Sequence, residues 1–364
     1  MDTTDPIITF DEKGICNHCT EYIDVRAAYS YKGDETDRKF HSLISEIKAN
    51  GKNKSYDCVV GLSGGIDSSY VAYLAKKNGL KVLGVHMDNG WNSEEAVQNI
   101  KNIARILDID YESYVLNWEE FKDLQLAFLK ASVPEADTPT DIAILSSLHR
   151  VAKKYGIKYI ISGGNFATEG ILPKHWHYNA KDLTYFNYIQ KTFGTKRLKS
   201  FPTFGFRSEM YYKLVSKIKM VYLLNYVSYD KTEAISILEK ELNWKNYGGK
   251  HYESQYTGFI QSYYLYKKFD IDYRKATLSS QICAGAISRA EAIEILKNKP
   301  FEDSKTQREI EYIAKKLGIT KDSLIEIIDS KPKWYEDYPN DEKWLKYVYD
   351  TYRKIFKKEK LASF

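Results

Sequence analysis

The chain has 364 residues, 43% of them hydrophobic and 28% charged. At ~150 residues per domain this suits about two domains, and it excludes a disordered tail or a fibrous repeat. The net charge of +5 is small for the length, so nucleic acid is not an expected partner. No apolar run approaches the ~18 residues that span a bilayer. Met1-Asp2-Thr3-Thr4-Asp5 carries acids where a secretory leader carries basic residues, so the expectation is a cytoplasmic protein without a membrane partner. Four cysteines (Cys16, Cys19, Cys58 and Cys283) are too sparse for a disulfide framework.

In chain order, residues 1–54 read as an arm with one cysteine pair. Tyr56 to Leu62 is a short buried strand that runs into Ser63-Gly64-Gly65 and a helix from Ser68 to Lys77, which Asn78-Gly79 closes. Lys81–His86 is a second strand, Glu94–Leu107 a helix with apolar residues at helical spacing, and Tyr111–Leu116 a third strand. A helix over Asp141–Tyr155 and a strand over Ile157–Ile161 follow. This alternation predicts a parallel sheet covered on both faces. Beyond about residue 205 strands are no longer expected. Leu214, Val215, Ile218, Val221 and Leu224 mark one helix, and capping patterns at Asp230–Glu233, Ser288–Glu291 and Ser304–Gln307 open others. The expected division is an arm over 1–54, an α/β unit over 55–205 and a helical unit over 206–364.

The strongest chemical signal is Ser63-Gly64-Gly65-Ile66-Asp67-Ser68 between a buried strand and a helix. Two glycines let the backbone approach a ligand without Cβ interference. The helix start offers N–H groups and the positive end of its dipole, and the hydroxyls of Ser63 and Ser68 add donors. The result is an anion nest for a pyrophosphate-like group. Asp67 cannot bind phosphate directly and suits a bridging Mg²⁺. The plain alternative is a polar turn in which Asp67 or Ser68 caps a helix. No Gly-Lys-Ser/Thr follows, so this is not a Walker A loop, nor is it a Gly-x-Gly-x-x-Gly dinucleotide turn.

The hexapeptide is similar to the PP-loop of the ATP pyrophosphatase superfamily. That resemblance implies a Rossmann-like (adenine nucleotide alpha hydrolase) α/β fold with a mainly helical C-terminal domain and a short N-terminal cysteine-bearing arm. It also implies ATP cleaved to AMP and pyrophosphate. His86 and Met87 would lie against adenine, and Ser162, Gly163 and Gly164 would face the adenylate. Further clusters are Asn165 to Pro173 with Trp176, Trp244 to Ser254, Thr257 to Gln261, and Lys267 to Lys275. With them the chain resembles the N-acetyl sugar amidotransferase family of the WbpG and PseA type. The resemblance implies conversion of an acetamido group on a nucleotide-activated sugar to an acetamidino group, in O-antigen or other surface-polysaccharide biosynthesis. Ammonia would come from a separate glutaminase subunit, since this chain shows no glutaminase motif.

On that reading Asp67 holds the metal, Glu169 or Glu253 takes a proton from ammonia, and His251 shuttles it. Lys250, Lys268 and Arg274 meet phosphates or a sugar diphosphate, Asn165 meets the sugar, and Trp176 and Trp244 stack on a sugar or uracil. Each has a plain alternative: surface ion pairs for the cations, a helix-end carboxylate for Glu253, core packing for Trp176 and Trp244. Cys16-Asn17-His18-Cys19 matches half of a zinc knuckle whose second pair, in the family, stands just ahead of the stretch matching Met1–Thr4. His18 or His41 are other candidate donors for a structural Zn²⁺, and two free thiols are the alternative. Cys58 sits in a strand and Cys283 has no neighbouring cysteine, so sulfur transfer is not favoured. The rival readings are a PP-loop RNA-modifying enzyme, with tRNA adenylation and amine or sulfur transfer, and a non-catalytic nucleotide-binding protein.

Overall fold

The computed structural model describes residues 1–29, 34–246 and 253–356. Five short strands form one sheet: β1 (Cys58–Gly61), β2 (Val82–Asp88), β3 (Asp110–Val115), β4 (Tyr159–Ser162) and β5 (Lys219–Tyr222). Their order is β3-β2-β1-β4-β5 and every pair is parallel. Side chains alternate between faces along a strand. Cys58, Val60, Tyr159 and Ile161 accordingly enter one core layer, and Val59, Leu83, Val85 and Ile160 the other.

The helices in chain order are α1 (Asn17–Tyr29), α2 (Asp34–Gly51), α3 (Ile66–Lys77), α4 (Glu94–Ile106), α5 (Trp118–Lys130), α6 (Thr138–Lys154) and α7 (Phe166–Glu169). They continue with α8 (Leu183–Phe193), α9 (Phe206–Met210), α10 (Lys231–Leu242), α11 (Gln255–Phe259), α12 (Leu265–Phe269) and α13 (Arg274–Ala284). The last are α14 (Arg289–Leu296), α15 (Asp303–Leu317), α16 (Lys321–Asp329) and α17 (Glu342–Phe356). No described helix is long and apolar enough to cross a membrane.

The α/β architecture with a mainly helical C-terminal region follows the expectation, with two corrections. The single helix read from Leu214 to Leu224 is instead a π-helical turn over 211–215, strand β5, and a 3-10 turn over 223–226. Pairing of Lys219–Tyr222 with β4 overrides a spacing that also fits a helix. The arm is also less separate than it reads, because Phe40, Ile44 and Ile47 of α2 are buried in the sheet's core layer. The caps behave largely as their residues dictate. Asp230 accepts from the Glu233 N–H, Ser288 and Glu291 form a reciprocal capping box, and Gly79 and Gly318 take positive φ past their helices. The start read at Ser304 falls two residues earlier, behind Glu302, whose side chain makes no cap bond.

Candidate nucleotide and acceptor site

The order of strands reverses between β1 and β4. In open α/β sheets the crevice at the carboxyl ends of such a pair is where ligands bind. Ser63-Gly64-Gly65 leaves β1 there and Ser162-Gly163-Gly164 leaves β4 beside it. The two turns touch closely: a Cβ on Gly163 would stand 2.9 Å from the backbone of Asp67 and Ser68.

The first turn is held from behind. Gly64 has φ +81°, and a Cβ there would lie 2.4 Å from the Ala96 carbonyl oxygen, so only glycine fits. Its own carbonyl accepts from the indole Nε1 of Trp244 at 2.9 Å and from Asn99 Nδ2 at 3.3 Å. Asn99 in turn pairs with the backbone of Lys245, donating at 2.9 Å and accepting at 2.8 Å. Ser69 Oγ donates to the Gly65 carbonyl at 2.6 Å, and the hydroxyls of Ser63 and Ser68 lie 3.0 Å apart. No side chain caps the start of α3, which leaves its first N–H groups directed at the crevice for an anion.

Asp67, in the first turn of α3, accepts a hydrogen bond from the Tyr229 hydroxyl. Burial and the Asp67 charge hold that phenol far above the usual range. Glu169, at the end of α7, also raises the phenols of Tyr222, Tyr229 and Tyr273. Asp67 and Glu169 therefore share Tyr229 as a neighbour. His86 is buried at the exit of β2, where its Nδ1 donates to the Leu62 carbonyl at 2.9 Å and its Nε2 accepts from Asn92 at 3.2 Å. It lines a solvent-open pocket with Asp88, Asn92, Lys101 and Tyr111. Met87 beside it is partly buried against the helical core. The Glu253 carbonyl accepts from Ser93 N–H at 2.9 Å, which ties that residue to the same loop. Lys250 and His251 lie outside the described residues.

The residues expected to meet the sugar occupy other posts. Asn165 is buried and caps α7 by accepting from Thr168 N–H at 3.0 Å. Lys268 is 8% exposed and donates to the carbonyls of Ile327, Ile328 and Ser330 at 2.8, 3.2 and 2.6 Å, capping α16. Arg274 pairs with Asp272 at 2.6 Å and donates to the Asn298 carbonyl beyond α14 at 2.7 Å. Trp176 is buried in the helical core, and its indole nitrogen has no hydrogen-bond partner among the described residues. Lys268 and Arg274 donate to carbonyls at or beyond helix ends, Asn165 accepts from a helix-start N–H, and Trp176 fills the core.

The cysteines also need correcting. Cys16 and Cys19 lie 3.4 Å apart, and the Cys283 thiol of α13 is within hydrogen-bonding reach of Cys19. Cys283 thus has a cysteine neighbour that the sequence hides. His18 is committed to Asp5 at 2.6 Å and His41 is exposed on α2. Among the described residues no group of three or more His, Cys, Asp or Glu side chains is set to hold a metal ion. The described residues thus show Cys16, Cys19 and Cys283 near one another but no complete knuckle.

A glycine turn, an uncapped helix start and a second glycine turn at the reversal of a parallel sheet define a nucleotide site of the ATP pyrophosphatase kind. Residues 38–141 match the NAD synthase family, and residues 253–354 match the family described as LPS biosynthesis protein WbpG-like, C-terminal domain. Those two matches bear out the resemblance to the WbpG type and to the PP-loop superfamily. Among curated proteins the chain is 30% identical over 139 residues to a probable mitochondrial tRNA-specific 2-thiouridylase 1 of Caenorhabditis elegans, covering 34% of this chain and 36% of that one. It is 30% identical over 152 residues to tRNA-specific 2-thiouridylase MnmA of Pediococcus pentosaceus, covering 37% and 40%. The match thus spans about two fifths or less of each relative. Among solved structures, U34-tRNA thiolase NcsA from Methanococcus maripaludis is 13% identical with a TM-score of 0.34, covering 74% of this chain and 86% of that one. NH3-dependent NAD synthetase from Campylobacter jejuni is 21% identical with a TM-score of 0.29, covering 37% and 59%.

Proposed function

We propose that the protein is an ATP-dependent amidotransferase that turns an acetamido group of a nucleotide-activated sugar into an acetamidino group, for surface-polysaccharide or nonulosonic acid biosynthesis. The observation that carries this reading is the WbpG-like match over residues 253–354, in one chain with a pinned glycine turn at the sheet reversal. An amide carbonyl is a poor electrophile, so its oxygen must first become a leaving group. That oxygen attacks the α-phosphorus of ATP, pyrophosphate leaves, and an O-adenylyl imidate forms. Ammonia adds to the imidate carbon, the bond from carbon to the adenylyl oxygen breaks, and AMP leaves with the electron pair.

The chain's part is positioning and charge stabilisation. The N–H groups of the turn and of α3 grip the pyrophosphate, and Ser63 and Ser68 add hydroxyl donors. Asp67 would hold Mg²⁺, which supplies positive charge against the phosphate oxygens. One carboxylate aided by phosphate oxygens and water suits that ion, and Tyr229 keeps this carboxylate oriented. His86 and Met87 would flank the adenine side, and Glu169 adds negative charge near Tyr229 beside Asp67. Ammonia is expected from a separate glutaminase subunit.

The test is mass spectrometry of nucleotide and sugar products after incubation with Mg-ATP, ammonium salt and a panel of acetamido nucleotide sugars. AMP formed in step with a sugar whose acetyl oxygen has been replaced by NH supports the reading, and Asp67→Asn is expected to lower both products at least ~100-fold. AMP without sugar change, with and without added glutaminase, refutes it. A second reading is favoured by the thiouridylase matches and by the Cys19–Cys283 contact: adenylation of a tRNA base followed by sulfur transfer. Thiolated tRNA from the same mixture with tRNA and a sulfur donor would establish that reading instead.

A further inference from the structure

Asp141 belongs to the first turn of α6, a helix that feeds β4 and so runs against the strands. Further along it, the Leu148 methyls close over Gly61, the last residue of β1, and a Cβ on that glycine would meet them at 3.4 Å. Seven residues, or two turns, separate Asp141 from Leu148, so both lie on one face. Asp141 stands about 10 Å nearer the helix start. That displacement carries it past the end of β1 toward the crevice in front of the glycine turns. Ile144, on the same stripe, is 38% exposed, while Ile142, Ala143, Ser146 and Ser147 on the rest of the helix are buried. The stripe that carries Asp141 and Ile144 is thus open to water while those neighbours are buried.

Asp141 is itself open to water. Its carboxylate makes no hydrogen bond or ion pair among the described residues, in contrast to Asp137 one turn before it. Asp137 accepts from Thr140 Oγ1 at 2.5 Å and from Thr257 Oγ1 at 2.6 Å. Burial raises the phenol of Tyr273, at the start of α13, and the charges of Glu169 and Asp141 raise it further. The titratable groups tied to Asp141 among the described residues are therefore Asp137 on its own helix and Tyr273.

We propose that Asp141 is a catalytic residue of the nitrogen step, its carboxylate taking the proton from ammonia as the carbon–nitrogen bond forms. The balance is complete within the reaction proposed above, on which this role rests. The nitrogen lone pair makes the new bond, the imidate carbon releases AMP, and the proton moves from nitrogen to the Asp141 carboxylate and on to water. Desolvation by the surrounding chain and the neighbouring Asp137 push its carboxyl up to about 7, which suits a base working near neutral pH. An unpaired acid beside Asp137 also favours ammonia, or the ammonium ion that precedes it, over the anions gripped by the glycine turns.

The experiment compares the full-length protein with its Asp141→Asn and Asp141→Glu variants in two readouts. The first is sugar-dependent pyrophosphate release from ATP without ammonia. The second is acetamidino product formed at fixed free ammonia across pH. Asp141→Asn is expected to keep the first within about threefold and lose ~100-fold or more of the second, together with the fall in rate below pH about 7. Asp141→Glu is expected to recover part of the rate and of the pH dependence. Acetamidino product within threefold of wild type for Asp141→Asn overturns this role alone. Equal loss of both readouts overturns it in favour of a structural part. A wild-type protein that yields no acetamidino sugar overturns the amidotransferase reading and this role with it.

Discussion

Replacing Trp244 by phenylalanine tests whether the nucleotide turn is built by the C-terminal half of the chain. Trp244 is 2% exposed and reaches across 180 residues of sequence to donate its indole N–H to the Gly64 carbonyl at 2.9 Å. Phenylalanine keeps most of the apolar contact and removes that donor. A buried acceptor left without its partner costs about 1–3 kcal/mol. Here Asn99 also donates to the same oxygen at 3.3 Å, so the lower half of that range applies. If the bond selects the turn conformation that grips phosphate, about 1–1.5 kcal/mol appears as a five- to twelvefold loss of ATP affinity, since 1.4 kcal/mol is tenfold. Calorimetric titration with a non-hydrolysable ATP analogue, paired with a thermal melt, reads both consequences. Unchanged affinity with a lowered Tm would refute the reasoning, because Trp244 would then be packing without presetting the turn.

Lys268→Met should lower folding stability by about 2–4 kcal/mol, since three carbonyls at the end of α16 lose a charged donor. It should leave KM for the sugar within twofold in protein that remains folded, and a selective rise in KM would restore Lys268 to the binding site. Gly64→Ala should abolish nucleotide binding, measured by the same titration, because its Cβ would overlap the Ala96 carbonyl. Tight binding by that variant would show that the turn rearranges freely. Burial pushes the Glu135 carboxyl from 4.5 up to about 8. The unfolded chain thus releases this proton near pH 4.5 while the folded one keeps it, and the stability present below pH 4.5 is lost as pH rises through 8. At 1.36 kcal/mol per pKa unit the loss between pH 5 and 8 is about 3 kcal/mol. Urea melts should show Glu135→Gln losing less stability than wild type over that window, and parallel declines would reject the assignment.

The parts of the site that lie close together in sequence were legible in it. A buried strand, two glycines and a helix start within a dozen residues specify the anion turn through local backbone chemistry, and the structure builds it from those elements. What stayed hidden depends on partners far along the chain. Nothing near Trp244 signals that its indole serves Gly64, nor near Tyr229 that its hydroxyl serves Asp67. Lys268 and Arg274 sit in a cationic cluster that reads as an anion site. Their actual acceptors are helix-end carbonyls, 59 to 62 residues away for Lys268 and 24 residues away at Asn298 for Arg274. Cys283 reads as isolated because Cys19 reaches it only through the packing of α1 on α13. Helix α5 left a local signal that was passed over: Asn117 accepts from the N–H groups of Glu119 and Glu120 as a cap.

These long-range contacts bear on how one nucleotide module serves different acceptors. The NAD synthase match ends at residue 141 and the WbpG-like match begins at 253. Between and beyond them come the residues that finish the site: Glu169, Tyr222, Tyr229 and Trp244, then Tyr273 after the second boundary. Two of them bond directly to the module, Trp244 to the Gly64 carbonyl and Tyr229 to Asp67, and the Asp141 charge acts on the Tyr273 phenol. The nucleotide turn thus draws on residues outside the stretch that matches NAD synthase. On the reading proposed above, the choice between ammonia and sulfur as nucleophile turns on Asp141, the last residue of that stretch, and on the Cys19–Cys283 contact outside it. Asp141 and the Cys19–Cys283 contact stand on separate elements, so exchanging one without the other separates the two chemistries. Asp141→Asn should then affect nitrogen transfer, and Cys283→Ser should leave it unchanged.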